Sequence, residues 1–156
     1  MPETTVLATA GCPTVAFPAC CPIQFFPVAA GEFCVTAVLD NNNAPGTILE
    51  AAFPFSIEGT ITITAGNTVT GTATVTIYAD QLGGPIDMEI GNSGPVPIPG
   101  DGTFPWTVTV PGGTLPDAPA GGSNLYRLAA VLTVVNSGGV LTETSSFVDI
   151  GTFRIS

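Results

Sequence analysis

The sequence predicts an all-β protein: an antiparallel sandwich, immunoglobulin-like or jelly-roll, carrying an extended N-terminal arm. Three observations predict it. From Phe55 onward, apolar residues alternate with threonines at period two, the spacing of half-buried strands. The 19 glycines and 15 prolines cluster between these segments as turn signals. No segment shows the spacing of an amphipathic helix. Short strands separated by Gly/Pro turns pack as two sheets.

Residues 1–31 read as a proline-punctuated arm, and residues 32–156 as the sandwich domain. Gly11 to Val35 holds all four cysteines, Cys12, Cys20, Cys21 and Cys34, and a single charge, Glu32. Pro13, Pro18, Pro22 and Pro27 exclude a helix there, since proline lacks a backbone donor and fixes φ. Thr14 to Phe17 and Ile23 to Val28 are apolar pieces suited to a sheet edge, where proline is tolerated. A stretch this apolar has to be covered. Either it is an ordinary strand of its own domain, or another copy of the chain covers it. On the second reading Phe17, Pro18, Ile23, Phe25, Phe26 and Val28 are the subunit contacts.

Phe33 to Leu39 is the next expected strand. Asp40 to Gly46 is a dense turn signal; it lacks the glycine and final glutamate of a calcium loop, so it reads as a plain loop. Ile57, Gly59, Ile61 and Ile63 alternate with Glu58, Thr60, Thr62 and Thr64. Val69, Gly71, Ala73, Val75 and Ile77 alternate with Thr70, Thr72, Thr74, Thr76 and Tyr78. Pro85 to Ile90 is a short strand or edge, and a loop with Pro95, Pro97 and Pro99 follows. Phe104, Trp106, Val108 and Val110 alternate with Pro105, Thr107 and Thr109, and Trp106 is expected as a core anchor. Leu125 to Val135 is nearly all apolar and reads as a central strand covered on both faces. Arg127 interrupts it and would then need a carboxylate or backbone acceptors. Asn136 to Gly139 is a hairpin turn. Val140 to Ile150 is the last long strand, with a bend at Gly151 before Thr152 to Ile155.

The formal net charge is −10, with no Lys or His and only Arg127 and Arg154 as basic residues. Charged residues are 9% of the chain, against roughly 25% in ordinary soluble domains. Phosphate contacts need cations, which excludes a nucleic-acid partner and an anionic membrane surface. Proline breaks every long apolar run, so no membrane insertion is expected. Without His, no Ser-His-Asp or Cys-His unit can be assembled. Without Lys there is no lysine nucleophile, and no Gly-rich phosphate loop precedes a helix. Asp87 and Glu89 would share a strand face, and they read as solvated edge charges rather than as a glycosidase pair. Neither enzymatic activity nor a cofactor is expected. Residues 1–10 show no basic region and no unbroken apolar region of a secretory leader.

The cysteine spacing C-x7-C-C-x12-C has no C-x2-C unit, so it does not fit the common structural zinc sites and no metal is expected. Disulfides are the expectation and free buried thiols the rival. A bond between adjacent Cys20 and Cys21 is strained, so each can reach a different partner.

On these residues, Cys12, Cys20-Cys21 and Cys34 in an arm ahead of a β domain, the chain resembles bacterial endospore appendage subunits. Those are small jelly-roll proteins whose cysteine-bearing arm links neighbouring subunits. Donor-strand fibres from archaea and bacteria are similar in logic. The resemblance implies a homopolymer outside the cell or on its surface. The function expected is therefore a structural subunit of a self-assembling extracellular filament, tube or sheath, joined through its arm. A virion decoration or tail-associated sandwich is one alternative. A carbohydrate- or calcium-binding module is another, with Trp106, Tyr78 and Tyr126 as its candidate aromatics.

Overall fold

Among the described residues, ten strands build two sheets. The computed structural model describes residues 17–25, 28–64, 70–116, 124–136 and 141–156. The first sheet has the order β1 (Ala19–Phe25), β2 (Val28–Leu39), β4 (Phe55–Ile63), β8 (Gly102–Val110). The second has the order β3 (Ile48–Leu49), β10 (Leu141–Ile155), β9 (Leu125–Asn136), β5 (Gly71–Gln81), β6 (Asp87–Asn92), and β7 (Val96–Ile98) also pairs with β5. Every pairing is antiparallel except β3 with β10. The expected all-β sandwich is the observed fold.

The period-two pattern sets the core. In β4, Phe55, Ile57, Gly59, Ile61 and Ile63 face inward, and the polar residues between them are half-buried on the outer face. Ala73, Val75, Ile77 and Ala79 of β5 face them from the second sheet, with Tyr126, Leu128, Ala130, Leu132 and Val134 of β9. Trp106 fills the first sheet's half of the core, 5.6 Å from Phe33 between ring centroids. It has room because Gly59 lies opposite it: a Cβ there would stand 2.6 Å from Trp106 Cζ2.

Three readings change, and one strand has no counterpart among them. The expected boundary between residues 31 and 32 falls inside β2, and β1 is an edge strand of the first sheet. Pro22 is tolerated because β1 pairs with a strand on one side only. β9 is central, flanked by β5 and β10, but only its inward face is covered. Among the described residues no third layer lies over the other face, and Arg127 is exposed and pairs with Asp149 at 3.8 Å in solvent. The proline loop at Pro95 to Pro99 contains β7, which seats Ile98 in the core. Finally, β3 was not legible, because it is two residues long and is held by the far end of the chain, Arg154 and Ile155. The expected bend is present: the β9–β10 register shifts between Asp149 and Gly151, where Gly151 has φ 115°.

Candidate functional site

The hairpin of β1 and β2 gathers the residues that the sequence singled out. Cys20 pairs directly with Cys34 across the two strands, and the two form a disulfide. Successive side chains on a strand point to opposite faces, so Cys21 turns the other way. Its sulfur lies 3.2 Å from Ser146 Oγ of β10. Ser146 is buried and donates to the Pro22 carbonyl at 2.7 Å, which ties the outer side of β1 to the second sheet. Cys21 is half-buried and forms no disulfide with a described cysteine. Cys12 lies outside the described residues.

The candidate subunit contacts divide. Ile23 is fully buried in the chain's own core. Phe17 is half-buried against that core, and Pro18 is exposed. Phe26 lies outside the described residues, as do the side chains of Phe25 and Val28.

The opposite edge of the first sheet is β8. Thr36 Oγ1 donates to the Glu58 carbonyl at 3.2 Å, so the backbone of Glu58 faces β2. The alternate residues of β4 then face β8, opposite Phe104, Trp106, Val108 and Val110. That leaves Thr103, Pro105, Thr107 and Thr109 with their backbone groups turned outward. Pro105 fits this parity, because its missing donor faces no partner. Among the described residues no strand pairs with that side of β8. Over its nine residues β8 has no charged side chain.

Other sequence candidates scatter. Trp106 and Tyr126 are buried, and Tyr126 donates its hydroxyl to the Pro116 carbonyl at 2.9 Å. Tyr78 is 41% exposed on the outer face of the second sheet, where Phe147 is 59% exposed. The register places Phe147 beside Val131, and Tyr78 beside the adjacent Ala129. Phe147 was not legible as a site residue, because no local pattern tells which face of β10 is left uncovered. Asp40 folds its loop locally, with Oδ1 accepting from the N–H groups of Asn42 and Ala44 at 2.8 and 3.0 Å. Asp87 and Glu89 are exposed on β6.

No protein-family model matches the sequence, and no curated protein matches it. Solved structures are similar in fold. Over 82% of its length the chain resembles part of a beta-glucosidase from Listeria innocua, solved in complex with isofagomine, at 12% identity and a TM-score of 0.51. It spans 16% of that enzyme's chain. A cohesin module from the family 33 glycoside hydrolase of Clostridium perfringens also matches, at 12% identity over 83% of this chain and 98% of the module, with a TM-score of 0.39. At these identities the likeness concerns the fold alone. Among the described residues, no helix is long and apolar enough to cross a membrane.

Proposed function

We propose that the chain is a structural subunit of a self-assembling extracellular filament, tube or sheath, joined to its neighbours through its N-terminal segment. The observation that carries this reading is the unequal guarding of the sheet edges. An unpaired strand edge is a template for another chain, and proteins blunt it with charge, brevity or cover. The second sheet does so: β3 is two residues long, and β6 carries Asp87 and Glu89. On the first sheet, Ser146 of β10 reaches over β1. Among the described residues the β8 edge carries no charge and is paired by no strand; Pro105 guards its middle, and Gly91 of β6 approaches its end at Val108 to Val110. Residues 1–16 carry one charge, Glu3, and include the β-prone run Thr4 to Ala10. Such a segment, arriving from a second copy, suits the β8 edge by strand addition. This role needs no catalysis, no cofactor and no nucleic acid.

The test is assembly of the full chain against a chain lacking residues 1–16, followed by sedimentation and negative-stain microscopy. The full chain is expected to polymerise and the shortened chain to remain a folded monomer. A cut at residue 31 would be uninformative, because it removes β1 and the buried Ile23. Equal assembly of both chains, or none by the full chain, overturns the reading.

One observation favours a second reading, a carbohydrate-binding module: exposed Tyr78 and Phe147 share one outer face. Sugar rings stack on such aromatics. Calorimetric titration with soluble polysaccharides, abolished by Tyr78→Ala, would support it.

A further inference from the structure

The β1–β2 hairpin brings three metal-ligating side chains to one spot. Cys20 and Cys34 face each other across the strands, and Glu32 precedes Cys34 by two residues, hence on the same outer face. Their sulfur atoms and a carboxylate oxygen all lie within 4.8 Å of one another. We propose that reduction of the Cys20–Cys34 disulfide creates a binding site for a divalent cation of the zinc class, held by both thiolates and the Glu32 carboxylate. The proposal is independent of self-assembly.

Bond lengths decide whether the spacing fits. Zinc–sulfur bonds are about 2.3 Å and zinc–carboxylate bonds about 2.0–2.2 Å, so sulfur and oxygen on one tetrahedral ion stand about 3.6 Å apart. Glu32 Oε1 is 3.5 Å from Cys34 Sγ. In the disulfide that sulfur has no proton to donate, so the oxygen gains no hydrogen bond there. Two thiolates on one ion stand about 3.8 Å apart by the same arithmetic. The Cα atoms of Cys20 and Cys34 are 4.1 Å apart, and the Cβ atoms of a bonded pair stand about 3.5–4.5 Å apart, so rotation about the Cα–Cβ bonds brings two separated sulfurs to that spacing. Cys20 and Glu32 are exposed, so the fourth position opens to solvent. The residues in register around them, Pro22, Thr60 and Thr62, bring no cation to compete.

The chemistry balances. A small dithiol gives two electrons and two protons to the Cys20–Cys34 bond and leaves as its own disulfide. The two thiols then release two protons as the cation binds. The same sulfurs serve both states, so disulfide and metal exclude each other. The spacing escapes a sequence search for C-x2-C because the ligands meet across a strand pair.

The experiment uses the full chain carrying Cys12→Ser and Cys21→Ser, so that only this pair remains. After reduction with dithiothreitol and anaerobic desalting, Co2+ is titrated in. The expected result is thiolate-to-cobalt charge-transfer absorption with tetrahedral ligand-field bands, displaced by Zn2+ and absent from the oxidised form. Glu32→Gln should keep the charge-transfer bands and weaken binding at least about tenfold. Absent bands in a reduced protein with unchanged circular dichroism overturn the proposal, as does unweakened binding by Glu32→Gln. Should the double variant not fold, the reduced wild type is alkylated with and without Zn2+ and mapped by mass. Protection of Cys20 and Cys34 but not Cys12 is then expected, and equal rates overturn the site.

Discussion

Gly59→Ala tests the packing of the first sheet most directly. In a strand interior, replacing glycine by alanine ordinarily gains about 0.5–1 kcal/mol, because the unfolded chain loses freedom. Here the new methyl would stand 2.6 Å from Cζ2 and 2.8 Å from Cε2 of Trp106, and would press on the carbonyl oxygen of Cys34. Carbon atoms pack at about 3.5–4.0 Å, so the indole has to retreat by roughly 1 Å. It has little freedom to do so, being 3% exposed and stacked beside Phe33. The carbonyl is backbone and cannot rotate aside. Overpacking costs about 1–3 kcal/mol, occasionally more. With two rigid obstacles the upper part of that range applies, and after the entropy gain a net loss of about 2 kcal/mol is expected. At this chain length that lowers Tm by about 4–8 °C. Urea unfolding followed by far-UV circular dichroism measures it, and the fluorescence of the single tryptophan reports the ring's displacement. Repeating the substitution in Trp106→Leu removes the ring obstacle and leaves the carbonyl, so a coupling of about 1 kcal/mol is expected. A neutral or stabilising Gly59→Ala would refute the placement of Trp106 over Gly59.

Ile23→Ala should cost about 2–5 kcal/mol in dilute monomer, since the side chain is fully buried in its own domain; a loss that appears only at high protein concentration would mean that a neighbour supplies the site. Cys34→Ser should cost about 3 kcal/mol in urea unfolding under oxidising conditions, from a bond spanning a sequence separation of 14, and nothing in dithiothreitol. Trypsin should cut native protein slowly, although both arginines are exposed: the backbone at Arg127 and at Arg154 is paired on both sides. Rapid cleavage after Arg127 in native protein would contradict the central position of β9. On non-reducing gels, covalent multimers should survive in Cys20→Ser/Cys34→Ser and vanish in Cys12→Ser/Cys21→Ser.

What the sequence made legible is what depends on neighbours along the chain. The alternation in β4, β5 and β8 fixed which residues face inward, and the asparagine, glycine and proline clusters fixed the turns. What it hid depends on distant pairing. Gly59 read as one more inward position; the need for a glycine follows from Trp106, which the β4–β8 register sets opposite it. β9 read as doubly covered because composition does not say how many layers a fold has. Its outer residues Ala129, Val131 and Val135 are half-buried, and Arg127 on the same face is exposed. The meeting of Cys20, Glu32 and Cys34 was hidden for the same reason, since it requires the hairpin register.

That register also constrains how copies could be joined. The Cys20–Cys34 bond lies within one chain and braces β1 against β2, so it links no neighbour. Cys21 faces away from it, half-buried against Ser146, where an incoming disulfide partner would have to displace β10 from β1. Cys12 lies outside the described residues, and neither of these contacts involves it. It also belongs to the segment whose β-prone run precedes it, Thr4 to Ala10. If that run adds to the β8 edge of another copy, the addition carries Cys12 toward that copy. Strand addition and a covalent link would then act at one junction, the first through backbone hydrogen bonds and the second by constraining the separated state. The Cys20–Cys34 bond would take no part in that junction, because it holds β1 to β2 within one chain.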